Sequence, residues 1–208
     1  MANIGNNKLP KKVILASGSP RRREILKQMG IEFEIDVPDV DETVEGTPEE
    51  MVCLLAERKA LAVAYKAADR GENSLIVGAD TLVALDGRAL GKPADDEEAG
   101  RMLRSLSGRG HEVYTGVCVV KVRDGAVTEI MRVPACTEVI FRALSDEEID
   151  AYVATGEPRD KAGAYAIQGG AKAFVESYNG SKSNVIGLPR DLLRRMLYHM
   201  NDQTENYD

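Results

Sequence analysis

Short polar clusters follow the apolar runs of this sequence. The residue types in these clusters are suited to binding and reacting phosphate groups. The first cluster, residues 17–22 (SGSPRR), follows the apolar run at 13–16. Ser19 as N-cap and Pro20 at the first helical position predict that a helix starts there. Its free N–H groups, the small Gly18 and two arginines suit an anion. A capped surface helix with solvated arginines is the alternative.

A second cluster, residues 78–81 (GADT), ends another apolar run. In open α/β sheets, ligands bind outside the carboxyl ends of the strands. Asp80 at such an end could ligate a divalent cation or take a proton from water. Glu42, in a predicted acidic loop, could share that cation. A turn or N-cap role is the alternative for Asp80.

Three later features add cationic and polar groups. Lys92, in the GKP run at 91–93, could neutralise a phosphate, with a surface turn as the alternative. Residues 157–169 form a predicted loop rich in charges and glycine, in which Gln168 could hydrogen-bond to a base edge. Residues 179–189 form a glycine-containing segment that leads into the last predicted helix. On the sequence alone, Lys59 is predicted to be solvated on a helix.

Composition and missing motifs exclude several classes. The chain has 208 residues, a formal net charge of −7 and 5% aromatic residues, which argue against a nucleic-acid partner. No apolar stretch is long enough to predict a membrane span, and residues 1–12 lack the apolar core of a signal peptide. P-loop, Rossmann and nucleophile-elbow motifs are absent. The three cysteines are predicted to be buried thiols in a reducing cytoplasm.

The predicted helices and strands around these clusters indicate an α/β fold with a mixed sheet. Strands and helices alternate early, and Asp124-Gly125 marks a late antiparallel hairpin. One domain is expected over 13–200, after a polar extension at 1–12 and before a frayed polar tail at 201–208. The segment 156–180 is predicted to be loop-like. The predicted strands are 13–16, 31–37, 74–78 with 82–85, 112–122 and 127–142, and the predicted helices are 20–29, 48–68, 95–106, 146–155 and 189–200.

The sequence closely resembles the Maf family of nucleoside triphosphate pyrophosphatases, over about 13–197. The resemblance implies an elongated mixed β-sheet flanked by helices, with two lobes around a cleft, as in ITPase-like proteins. It rests on ordered motifs, which are SGSPRR (17–22), DET (41–43), ERKA (57–60), GADTLV (78–83), GKP (91–93), LSGRGHEVYTGV (106–117), EPRDKAGAYAIQG (157–169) and NGSKSNVIGLP (179–189).

The resemblance also implies an activity and roles. A nucleoside triphosphate would be hydrolysed to the monophosphate and pyrophosphate with a divalent cation (Mg²⁺, Mn²⁺ or Co²⁺), and the DKAGAY-x-IQG form is similar to the subgroup that acts on dTTP and UTP. A cytoplasmic homodimer is expected. By motif, the proton acceptor is Asp80, the metal-facing carboxylates are Glu42 and Asp80, the phosphate contacts are Ser17, Arg22, Lys59 and Lys92, and the specificity residues are Arg21, Thr81 and Gln168.

Two alternatives stay open at this point. One is clearance of modified pyrimidine nucleotides, such as 5-methyl-UTP or pseudo-UTP. The other is a nucleotide-binding regulator of cell division in which hydrolysis is incidental. Glu42 and Asp80 together argue against pure binding, because a sensor needs no general base.

Overall fold

One mixed sheet of seven strands forms the centre of the computed structural model, which describes residues 12–202. Helices cover both faces of this sheet. The strands are β1 (Val13–Leu15), β2 (Glu34–Ile35), β3 (Ser74–Leu85), β4 (Arg88–Leu90), β5 (Gly110–Arg123), β6 (Ala126–Phe141) and β7 (Val175–Asn179). The helices are α1 (Pro20–Gln28), α2 (Pro48–Asp69), α3 (Asp96–Leu106), α4 (Asp146–Val153), α5 (Lys182–Ile186) and α6 (Arg190–Asp202), with 3₁₀ turns at Glu157–Asp160, Ala162–Ala164 and Gly170–Phe174.

The strand order is β2-β1-β3-β5-β6-β7, with β4 paired beside the end of β3. β1 is parallel to β2 and to β3, while the pairs β3–β5, β5–β6 and β6–β7 are antiparallel. The parallel pairing places the end of β1 beside Val77, in the first half of the long strand β3. The first polar cluster and the second therefore meet at one place on the sheet.

Two apolar clusters divide the molecule into the two lobes that the resemblance implies. In the first lobe, α1 and α6 pack on β1 through side chains such as Leu26 and Leu197. In the second, α3 and α4 pack with Phe141 and Tyr165. Ile186 contacts both clusters, so the junction lies at the end of α5. The predicted α/β architecture is confirmed.

Several predicted elements differ from the observed ones. The strand predicted at 31–37 is reduced to Glu34–Ile35, because its partner β1 offers only Ile14 and Leu15 for pairing. The break predicted at 79–81 is absent, since β5 pairs with β3 through this segment. The segment 156–180 is not only loop, as it holds 3₁₀ turns and β7. Cys53 and Cys118 are buried as predicted, but Cys136 is exposed on β6.

The predicted extension at 1–12 and tail at 201–208 fall largely outside the described residues. Lys12 precedes β1, and α6 ends at Asp202. Within 12–202, no helix combines the length and the apolar character needed to cross a membrane.

Candidate active site

A cleft of about 500 Å³ opens between the two lobes. Its wall has two parts, which we call the sheet side and the loop side. The sheet side comprises Ser17, Arg22, Lys59, Asp80 and Thr81, and the loop side is residues 157–169. All nine residues predicted for the site line this one cleft, namely Ser17, Arg21, Arg22, Glu42, Lys59, Asp80, Thr81, Lys92 and Gln168.

The start of α1 presents the first polar cluster to the cleft. Ser19 is the N-cap residue, with extended backbone, and Pro20 begins the helix, as predicted. The Ser19 side chain makes no capping bond. Its backbone N–H instead donates to Ser17 Oγ at 3.3 Å. The hydroxyl of Ser17 therefore organises this helix start from within the cleft.

Arg22 is held in place by hydrogen bonds to the protein. Its Nε donates to the Gly187 carbonyl at 2.9 Å, and its two terminal nitrogens donate to Ser17 Oγ at 3.1 Å and Thr81 Oγ1 at 3.2 Å. A guanidinium has five N–H groups, so two remain for a ligand. Burial lowers the pKa of Arg22, and the charge of Asp80 opposes that shift. A fixed cation therefore stands at the sheet side before any ligand binds.

The ammonium group of Lys59 lies between the two carboxylates that are predicted to bind metal, those of Glu42 and Asp80. Its Nζ lies 2.7 Å from Glu42 Oε1 and 2.6 Å from Asp80 Oδ1. Only 13% of the Lys59 side chain and 16% of the Asp80 side chain are exposed. The interpretation of Lys59 as solvated, made from the sequence alone, is therefore wrong. The hydrogen bond from Lys59 lowers the pKa of Glu42, which keeps that carboxyl ionised.

Two glycines on neighbouring strands allow α2 to bring Lys59 this close. A Cβ on Gly78 would lie 2.3 Å from the Ala56 carbonyl oxygen, and one on Gly116 would lie 2.3 Å from the Val52 carbonyl oxygen. Any side chain at either position would push the helix away from the sheet. The small residues of β3 and β5 were the sequence signal that could have predicted the position of Lys59.

The acidic loop that carries Glu42 is anchored by a residue that sequence reasoning missed. Arg58 donates to the carbonyl oxygens of Asp41 at 3.0 Å and Thr43 at 2.9 Å. Asp41 Oδ1 also accepts the N–H of Thr43 at 2.8 Å. Arg58 adjoins Lys59 on α2, so one helix fixes both the loop and the lysine between the carboxylates.

The donor set at Glu42 and Asp80 fits a hard divalent cation. Both carboxylates already converge on a single positive charge, the ammonium of Lys59. Magnesium is commonly bound by one or two protein carboxylates together with substrate phosphates. Within 12–202, no group of three or more His, Cys, Asp and Glu residues forms a metal site. The arrangement therefore suits a cation that arrives with a polyphosphate.

The loop side combines apolar and polar groups. Tyr165 and Ile167 line the cleft beside the exposed Gln168. Tyr165 Oη lies 2.8 Å from Nε2 of His111, a buried residue that the sequence left unassigned. Burial lowers the pKa of His111 to about 4, so the imidazole is neutral at pH 7.

Lys92 and Lys161 add positive charge to the lining of the cleft. Lys92 follows β4, and its charge contributes to the lowered pKa of Glu42. Lys161 pairs with Asp160, and both residues line the cleft. The N–H of Gly163 donates to the Gly91 carbonyl at 3.0 Å, which ties the Lys92 turn to the loop side. Lys161 was not among the predicted site residues.

Together, an α/β fold in two lobes and a cleft with fixed cations and paired carboxylates define a class of protein whose cleft suits a polyphosphate and a divalent cation. Comparison with known sequences identifies the family. The model of the Maf-like proteins matches residues 12–200, and the chain belongs to the Maf family.

Named relatives extend over nearly the same length. A protein of Pelotomaculum thermopropionicum named dTTP/UTP pyrophosphatase is 50% identical over 91% of this chain and 99% of its own. One of Geotalea uraniireducens with the same name is 52% identical over 88% of this chain and 94% of its own. Among solved structures, a HAM1 protein from Coxiella burnetii has 17% identity and a TM-score of 0.44 over 93% of this chain and 99% of its own.

Proposed function

We propose that this protein is a nucleoside triphosphate pyrophosphatase that hydrolyses dTTP and UTP to the monophosphate and pyrophosphate. The observation that carries the proposal is the convergence of Glu42 and Asp80 on one cation, beside the fixed guanidinium of Arg22. The names of relatives at about half identity over most of their length support the substrate pair.

In the reaction we propose, water attacks the α-phosphorus. The new P–O bond forms as the bond from that phosphorus to the bridging oxygen of the β-phosphate breaks, so the pyrophosphate leaves with the electron pair. The proton lost by water passes to the carboxylate of Asp80, which is a general base of the kind that such a step requires. The products are therefore a nucleoside monophosphate and pyrophosphate.

Glu42 and Asp80 are the residues that would hold the divalent cation, which is Mg²⁺, Mn²⁺ or Co²⁺. Such a cation lowers the pKa of bound water and neutralises phosphate charge. The hydrogen bonds of Lys59 to both carboxylates would then be exchanged for contacts to phosphate oxygens. This exchange explains why a lysine lies between two metal-binding groups.

The remaining cationic residues stabilise the charge that develops on the leaving pyrophosphate. Arg22 offers its two free N–H groups without reorganisation, since its other three are already bonded to Ser17, Thr81 and Gly187. Lys92 and Ser17 lie on the same cleft and would contact the phosphates. Arg21, Thr81 and Gln168 would select the nucleoside. We assign this activity to the cytoplasm and expect a homodimer.

The test is release of pyrophosphate by the purified protein with Mg²⁺ and each common nucleoside triphosphate, with 5-methyl-UTP and pseudo-UTP alongside. We expect release from dTTP and UTP well above release from CTP, ATP and GTP. Preference for the modified nucleotides would assign the protein to their clearance. Binding of nucleotides with no release would contradict the proposal and favour a regulator of cell division.

A further inference from the structure

A chain of buried hydrogen bonds runs from the cleft into the sheet behind Thr81. Thr81 lies on β3 and lines the cleft, and Thr115 lies directly opposite on β5. Their hydroxyl oxygens are 2.9 Å apart, and Thr115 is completely buried. Neither sequence motifs nor the proposed reaction assigns a role to Thr115.

The partner of Thr115 fixes the direction of this contact. Thr115 Oγ1 lies 3.1 Å from the backbone carbonyl oxygen of Asn184. A carbonyl only accepts and a threonine hydroxyl has one hydrogen, so Thr115 donates to Asn184. In the contact between the threonines, Thr115 is then the acceptor and Thr81 the donor.

Asn184 is itself held firmly, which keeps its carbonyl in place. The residue is completely buried, and its side-chain nitrogen donates to the Val113 carbonyl at 2.9 Å and to Thr137 Oγ1 at 3.0 Å. Both amide hydrogens are therefore used. The direction of the chain is therefore set by hydrogen bonds within the protein.

Thr81 consequently presents only an acceptor to a ligand. It donates its hydrogen to Thr115, and one of its two lone pairs accepts from Arg22 at 3.2 Å. The Gly187 carbonyl is a more distant acceptor at 3.4 Å, already bonded to Arg22 Nε at 2.9 Å. The oxygen of Thr115, at 2.9 Å, is therefore the acceptor of the Thr81 hydrogen. The free lone pair repels phosphate oxygens and attracts a donor.

The next cross-strand pair along β3 and β5 indicates that the donor to Thr81 belongs to the base of the nucleotide. Val83 and Val113 form the cross-strand pair two residues beyond Thr81 and Thr115, on the same face of the sheet. Both line the cleft but are at most 4% exposed, and the half-buried Val185 and Ile186, which pack against them, add apolar surface for a flat ring. The donors that dTTP and UTP share near such a surface are the N3–H of the base and the ribose 3′-hydroxyl.

We propose that Thr115 is a positioning residue that makes Thr81 an obligate acceptor, so that Thr81 selects the N3–H of uracil and thymine. Cytosine carries a lone pair at N3 and would meet the lone pair of Thr81. The inference rests on the proposed function, whose substrates it explains. Sites built for one hydrogen-bonding pattern discriminate strongly against the opposite one.

The first test compares Thr115→Val with Thr115→Ser. Valine cannot accept the hydrogen of Thr81, which becomes free to donate to cytosine. We expect the ratio of kcat/KM for UTP to that for CTP to fall about tenfold or more in Thr115→Val and to stay near the wild-type value in Thr115→Ser. An unchanged ratio in a folded Thr115→Val protein, judged by its circular dichroism, would overturn the proposal.

A second test does not depend on the folding of Thr115→Val. In the wild type, kcat/KM should fall for N3-methyl-UTP relative to UTP, and Thr81→Val should remove most of that difference. If Thr81→Val instead removes a penalty seen with 3′-deoxy-UTP, Thr81 contacts the ribose and the proposal is wrong. A wild-type protein that hydrolyses no nucleotide would contradict the proposed function, whereas UTP hydrolysis with failure of both tests would contradict only this inference.

Discussion

The two sides of the cleft are built differently. On the sheet side, functional groups stand on regular elements and are bonded to each other, as Lys59 is to Asp80 and Arg22 to Thr81. On the loop side, Gln168 is exposed and follows a run of 3₁₀ turns. We therefore expect the reaction and the contact of Thr81, which need fixed geometry, on the sheet side, and further recognition by Gln168 on a segment that can vary.

The largest expected effect comes from the sheet side. Asp80→Asn removes the proposed proton acceptor, and loss of a general base typically lowers kcat by about 10²–10⁴-fold. The measurement is pyrophosphate release from UTP, with thermal unfolding to verify the fold. Asp86→Asn is the matched control, because Asp86 is an exposed residue at the end of the same strand. Near wild-type turnover in Asp80→Asn would remove Asp80 from the mechanism.

A pH effect on stability tests how the loop side is anchored. The pKa of His111 is lowered to about 4 in the folded protein. Between pH 6.5 and 4 the unfolded chain therefore binds a proton that the folded protein does not. The free energy of unfolding should fall across this window as the pH is lowered, by up to about 3 kcal/mol from this residue.

Denaturant unfolding at several pH values measures this contribution. His111→Gln should flatten the curve between pH 6.5 and 4, whereas the control His199→Gln, which changes an exposed side chain, should not. An identical pH dependence in His111→Gln and the wild type would show that the buried imidazole does not couple to folding.

Gly78→Ala tests the close approach of α2 to the sheet. The added methyl would overlap the Ala56 carbonyl, and overpacking of this kind costs about 1–3 kcal/mol. Activity should fall as well, because Lys59 would move from Asp80. Gly91→Ala is the control for stability, since a Cβ there meets nothing within 4 Å. Equal stability of the two variants would contradict this account of the packing.

The smallest expected effect is a change of preference on the loop side. Gln168→Ala should leave kcat for UTP within about tenfold and reduce the preference for UTP over the other triphosphates, since a lost exposed hydrogen bond costs little. Rates with each nucleotide measure this ranking. A ranking that does not change would mean that Gln168 does not read the base.

Local signals in the sequence predicted some of the elements that carry the sheet side. The helix start at Ser19 and Pro20 is observed, and the hairpin turns at Asp124-Gly125. These signals succeed because their physics lies within a few residues. All predicted site residues line the cleft, but most were assigned through the family motifs rather than from their own spacing.

What the sequence did not reveal depends on contacts between distant elements. The burial of Lys59 follows from glycines on β3 and β5, which a helix-by-helix interpretation does not combine. The role of Arg58 depends on where the acidic loop folds back. The 3₁₀ turns of the loop side lack the periodicity that marks helices and strands.

In the proposed reaction, water attacks the α-phosphorus of the nucleotide at the sheet side. Hydrolysis of UTP in H₂¹⁸O, with mass spectrometry of both products, identifies the phosphorus that is attacked. We predict that the label enters UMP and that the pyrophosphate is unlabelled. Label in the pyrophosphate, or release of UDP and inorganic phosphate, would contradict it.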